Sequence, residues 1–180
     1  MGSGLHPELA RLGALLPDGD PPVTRLRIGA ADVDAIEAIT DGFRRSEYAH
    51  GGGLCRAVAG AQLRQVRRLA GAACSPEVRD RLLVDTADLA GVVGSLAYDV
   101  EQHDAARRLW SFALDTARRT EGHPRSTDLA VEVLLAMTHQ ALHLGRPREA
   151  LQLVQLGSAT AANRTPSVGC TSPGATPGCG

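Results

Sequence analysis

The run Gln140 to Leu151, QALHLGRPREAL, limits the folds open to this chain more than any other stretch. A helical pattern halts at Leu144, Gly145–Arg146–Pro147 follows, and helix-forming residues resume at once with Glu149–Ala150–Leu151. Glycine favours the left-handed conformation that closes a helix, and proline suits the first turn of the next. Two helices joined by so short a link have to pack against each other. The stretch therefore demands a helical hairpin, with the small residues Ala141 and Ala150 facing each other across the turn.

The same pattern occurs once upstream. LAYDVEQHDAARRL (Leu96–Leu109) aligns with QALHLGRPREALQL (Gln140–Leu153), each residue falling 44 positions before its counterpart. Val93, Gly94, Ala97, Ala106, Trp110 and Ala113 in the first copy stand against Met137, Thr138, Ala141, Ala150, Val154 and Gly157 in the second. A larger side chain at Ala97, Ala106, Ala141 or Ala150 would hold the paired helices apart, at a cost of roughly 1–3 kcal/mol. The pattern resembles the tetratricopeptide (TPR) repeat, a helix–turn–helix unit of ~34 residues. The wider offset implies longer helices. The expected fold is all-α: TPR-like antiparallel helix pairs forming a short α-solenoid, with Gly94, Ala97, Ala106, Trp110, Ala141, Gly145 and Ala150 as repeat-packing positions.

The rest of the chain fits that class, because no segment alternates with a period of two for long enough to make a strand. Val33, Ile36, Ile39 and Phe43 share one face of a helix that Asp32 is placed to cap and that Gly51–Gly53 ends. A second helix is expected over Leu54–Ala70, with Cys55, Val58, Gln62, Val66 and Leu69 along one side. Ser75–Pro76 is a strong start for a helix running to Val100, packed closely at Gly91 and Gly94. Helices over Asp104–Thr120, from a first turn that holds Asp128 to Leu144, and from Pro147 to Ala162 complete the set. Residues 1–27 hold one short helical candidate and the breaker cluster PDGDPP, and 28–162 form the helical domain. Residues 163–180, rich in Gly and Pro with one charge, are expected to be a disordered tail.

Composition narrows the function. Hydrophobic residues make up 43% of the 180 but aromatics only 3%, so the core must come from Leu, Val and Ala. Every basic residue is Arg, and the net charge of −1 calls for no polyanionic partner. No apolar run reaches the ~18 residues of a membrane span, and the N-terminus lacks the features of a secretory signal. Cys55 and Cys74 sit in helical runs without a Cys-x-x-Cys pair and read as buried thiols, which fits a cytoplasmic protein.

Candidate binding residues follow from the repeat. His139 and His143 lie one turn apart on the first helix of their unit, and Asp88, Ser95, Tyr98 and Asp99 occupy the equivalent face upstream. In such solenoids that face lines the groove, so these six are the groove-binding candidates. The bland alternative is a solvated inner face. The two histidines could clamp a metal, but they lack a third ligand and the Glu of His-Glu-x-x-His, so no metal site is assigned. Arg56, Arg64, Arg67 and Arg68 form a stripe better read as a solvated face than as a phosphate track. Gly51–Gly53 has no following Lys-Ser/Thr and reads as a hinge. No nucleophile elbow or carboxylate pair suggests catalysis, and no cofactor is expected.

Three runs carry a family resemblance: VDAIEAITDGFRRSEYAHGGGLCRAVAGAQL, LAYDVEQHDAARRLWSFAL and MTHQALHLGRPREALQL. Together they resemble actinobacterial transcriptional regulators in which a helix-turn-helix DNA-reading domain precedes a TPR-like domain. The match covers about Arg27 to Pro166. It implies a non-enzymatic sensor or protein-interaction domain. Its partner would be a protein, a peptide or a small-molecule effector, and the alternative is a free-standing adaptor. The ~60 residues a DNA-reading domain needs are absent upstream, so this chain is expected not to bind DNA sequence-specifically and to be a truncated or frame-shifted relative. Leu151, Val154 and Leu156 on the last helix should leave an apolar edge, which predicts self-association or marginal stability.

Overall fold

The computed structural model describes residues 27–120 and 122–163. Among the described residues six helices follow one another: α1 Ala30–His50, α2 Arg56–Leu69, α3 Pro76–Asp99, α4 His103–Arg118, α5 Pro124–His143 and α6 Pro147–Ala162. Among the described residues the only extended pairing is an isolated bridge between Arg27 and Ala73. Ile28 donates its backbone N–H to the Ala73 carbonyl at 3.0 Å and buries its side chain. The fold is all-α.

The two matched segments fold as paired helices, α3 with α4 and α5 with α6. Their turns are the same structure. In the second, Gly145 has φ +68°, its N–H donates to Leu142, and Arg146 donates to Ala141 at 2.8 Å. In the first, Glu101 has φ +61°, its N–H donates to Tyr98, and Gln102 donates to Ala97 at 2.9 Å. Both are Schellman caps, which satisfy the last carbonyls of a helix through a left-handed residue. Glutamate at such a position carries a steric penalty that glycine avoids. Glu101→Gly should therefore raise stability by about 1 kcal/mol. Gly145→Ala should lower it by a similar amount, with both changes read from thermal unfolding.

Small residues sit where the hairpins need them. Ala97, Ala106, Ala141 and Ala150 are all buried, and Gly145 is exposed at its turn. Trp110 of α4 lies against α3 at its two glycines. Its indole N–H donates to the Gly91 carbonyl at 3.2 Å, and a Cβ on Gly94 would come within 2.5 Å of the ring nitrogen. Arg107 of α4 and Glu149 of α6 form an ion pair across the two units.

Helix α3 is the centre of the molecule. It packs against α1, α2, α4 and α5 and buries residues on all sides, from Leu82 to Ala97. Such a helix needs partners all round rather than one apolar stripe. Ser75 caps it, accepting from the Val78 N–H at 3.3 Å, with Pro76 in the first turn.

Three local expectations are corrected. Gly29, not Asp32, caps α1; Asp32 sits one turn in and accepts the Gly29 N–H at 2.8 Å. Helix α2 begins at Arg56, and its buried face is Cys55, Ala59, Leu63 and Val66, because Val58 and Gln62 are rotated toward the edge. Helix α5 begins at Pro124 under a His123 cap, so Asp128 lies beyond its first turn. The N-terminal helical candidate and the expected tail, apart from Arg27 and Asn163, fall outside the described residues.

Candidate functional site

The first helices of the successive pairs, α1, α3 and α5, enclose a cavity of about 420 Å³. Helix α1 contributes Arg44, Glu47 and Tyr48, and α3 contributes Asp88, Gly91, Val92, Ser95 and Asp99. Helix α5 adds Leu129, Glu132, Val133 and Ala136, and Trp110 reaches in from α4. Helical spacing explains the α3 set: residues 88, 91, 92, 95 and 99 recur every three or four positions and so share one face.

Beside the cavity lies a charged network that ties the three helices together. Buried Asp88 takes Arg44 of α1 on one oxygen at 2.5 Å and Arg125 of α5 on the other at 2.6 Å. Arg44 also holds Asp41, Arg125 also holds Glu37, and Arg81 reaches Asp34 at 2.7 Å and Glu37 at 3.6 Å. Even with two arginines, burial wins at Asp88 and its carboxyl is held above the ordinary range.

Asp85, one turn earlier, is buried and its Oδ2 has no hydrogen-bond partner. Burial first, then the nearby Glu37 carboxylate, pushes Asp85 up to about 7, with Arg81 and Arg125 pulling the other way. Glu47 is likewise raised to about 7, by burial and then by Asp99. For both groups the folded chain holds a proton that the unfolded chain releases near pH 4. Their contribution is thus fully present below the ordinary carboxylate range and is lost as pH rises toward 7. Asp85→Asn should accordingly stabilise the protein by about 2 kcal/mol at pH 8 and have little effect near pH 4. Urea unfolding across that range checks it. An unchanged slope of stability with pH would show that Asp85 stays ionised.

Five of the six groove candidates fall in two places. Asp88, Ser95 and Asp99 line the cavity. Tyr98 and His143 lie elsewhere, in a ring cluster with His103: Tyr98–His143 centroids are 5.9 Å apart, and those of His103 and His143 5.6 Å. Tyr98 also touches Trp110, with centroids at 6.0 Å. The cluster joins α3, α4 and α5 at their turn ends, and Gln140 reinforces it by donating to the His103 carbonyl at 2.9 Å. His139 is exposed and lines neither cavity nor cluster. Among the described residues no group of three or more His, Cys, Asp or Glu is arranged to hold a metal ion.

The arginine stripe of α2 also divides. Arg56 donates to Gln102 at 2.9 Å, and the Arg67 guanidinium lies 4.7 Å from the Phe112 ring centroid. These contacts fasten α2 to the α3–α4 hairpin. Among the described residues no helix is long and apolar enough to cross a membrane.

Sequence reasoning missed Arg44, Glu47, Tyr48 and Glu132 as cavity residues. One signal was available. Asp85 and Asp88 stand one turn apart inside LLVDTADLAGVV, and charges in a helix buried all round require cationic partners.

Fold and site together define an all-helical protein of solenoid-like packing, with a polar-rimmed cavity on the face formed by its first helices. No protein-family model matches the chain, and no curated protein or solved structure matches it.

Proposed function

We propose that this chain is a TPR-like sensor or protein-interaction domain, related to the helical part of transcriptional regulators, non-enzymatic and not itself DNA-binding. The observation that carries the reading is the cavity formed by α1, α3 and α5, the face on which TPR-like domains receive their ligands. A small molecule or peptide bound there bridges three helices joined to each other by the Asp88 ion pairs. Its differential affinity for one stacking of the helices over another is what shifts the population. The test uses a thermal-shift screen of metabolites and short peptides on the full chain. Ser95, half-buried in the cavity wall, is replaced by Trp to fill the space. Hits on the parent chain should vanish in Ser95→Trp, and hits that persist would place binding elsewhere. A gel shift with operator-like DNA should give no sequence-specific complex.

A second reading, a free-standing adaptor, draws on the exposed apolar side chains of α6. Leu151, Val154 and Leu156 are 59%, 47% and 45% exposed, and no charged residue lies between Gln152 and Ala162. Val154 is the counterpart of the fully buried Trp110, whose helix is covered by α5. An uncovered apolar helix in a solenoid is a docking edge. Self-association through it should appear in sedimentation equilibrium as a concentration-dependent dimer. Leu151→Asp should return the chain to monomer with its melting temperature unchanged.

A further inference from the structure

We infer that the cavity between α1, α3 and α5 takes a small organic cation, an ammonium or guanidinium group on an apolar body, seated with its charge at Glu47 and Asp99. This rests on the reading of that face as a binding surface and adds the chemical class of what binds.

The charge balance of the walls comes first. Four carboxylates, Glu47, Asp88, Asp99 and Glu132, line the space with one arginine, Arg44. Arg44 is already engaged by Asp41 at 2.7 Å and Asp88 at 2.5 Å. With Arg44 spent on those two, Glu47, Asp99 and Glu132 make the remaining wall acidic. Burial first, and then repulsion from Asp99 across α1 and α3, raises Glu47 against the pull of Arg44. A cation between them relieves that repulsion. An anion would add to it, and a neutral molecule would leave it in place.

The floor supplies the second requirement. Trp110, Val133 and Leu129 present apolar surface, and the one polar atom of the indole is already bonded to the Gly91 carbonyl. A charged head therefore binds at the acidic wall, and an apolar body fits the remainder. At the mouth stands Tyr48, 87% exposed. An aromatic ring free beside a cation site can lie over the charge, an attraction of cation and ring quadrupole. The volume, about 420 Å³, suits a small ligand and is too little for a folded partner.

Three probes of matched shape test the assignment: 4-phenylbutylammonium, 4-phenylbutan-1-ol and 4-phenylbutanoate, titrated into the full chain at pH 8. The emission of Trp110, the chain's one tryptophan, is the readout, with calorimetry beside it. The ammonium probe should bind saturably and at least ten-fold more tightly than the alcohol, and the carboxylate should not bind. Glu47→Gln combined with Asp99→Asn should weaken the ammonium probe at least ten-fold and leave the alcohol unchanged. A merely structural role would move both. A parallel titration with acetyl-Leu-Lys-Leu-amide separates the sources of the cation. Tighter binding than the free amine points to a lysine side chain of a peptide, and weaker binding points to a free amine. Equal binding of ammonium and alcohol, preference for the carboxylate, or indifference to the double substitution overturns the charge class while leaving the face as a binding surface. No saturable response to any probe overturns the inference outright, and the Ser95→Trp comparison then decides the broader reading on its own.

Discussion

Trp110→Ala is expected to lower the stability of the protein by about 4 kcal/mol. In a domain of this size that is a fall of roughly 8–16 °C in melting temperature. Trp110 is the largest fully buried side chain in a chain with very few aromatics. It fills the crossing of α3 and α4 and touches Tyr98, and its N–H satisfies a Gly91 carbonyl. Alanine would leave a void that two helices tied by a tight Schellman-capped turn cannot close. The same contact explains Gly94, where any Cβ would press on the indole at 2.5–3.1 Å from three of its atoms. Gly94→Ala alone should cost about 2 kcal/mol. The two losses should not add, because removing the ring makes room for the methyl. Urea denaturation of the two single variants and the double variant reads the coupling. Strict additivity would mean that the ring does not bear on Gly94.

Gly52→Ala should cost about 3 kcal/mol, at the upper end of what overpacking does. A Cβ at Gly52 would lie 2.6 Å from the Leu96 carbonyl oxygen and 2.9 Å from the Leu96 Cα. These are backbone atoms in the last turn of a buried helix, so they cannot rotate out of the way. Relief must come from moving the α1–α2 link away from α3. That link follows directly on the end of α1 that carries Glu47 and Tyr48, so the change should also widen the mouth of the cavity. Gly53 is the control. It is exposed with nothing within 4 Å of an added Cβ, and Gly53→Ala should be close to neutral. Equal effects at the two positions would show that chain flexibility, not close approach, explains the glycine run.

These two contacts also mark how far the sequence could be read. The hairpins were legible because their determinants are local: a glycine or turn residue, a proline, and alanines at fixed spacing. Trp110 and Gly94 were legible for the same reason, since the 44-residue register aligns them with Val154 and Thr138. The cap of α1 was misplaced by three residues because Asp32 serves the capping box from inside the helix, a role that looks the same as a cap in sequence. The buried face of α2 depended on which side met α3, and that is tertiary information. The charged network could be anticipated only in half. Asp85 and Asp88 announce that cations must approach, but nothing near them in sequence names Arg44 or Arg125, which arrive from 44 and 37 residues away. His139 and His143 were grouped with Asp88 and Ser95 by repeat position, yet that equivalence holds for the backbone and not for what each side chain reaches.

Helix α3 gives the molecule a mast rather than a stack of equal layers. Among the described helices α1, α2, α4 and α5 are stayed to it directly, and α6 packs chiefly on α5. A load applied at Asp88 or Asp99 is shared in the same instant by Trp110, which rests on the same helix at Gly91 and Gly94. A tilt of this one rod of a few degrees would re-aim α2 and α4 together, without any loop having to unfold.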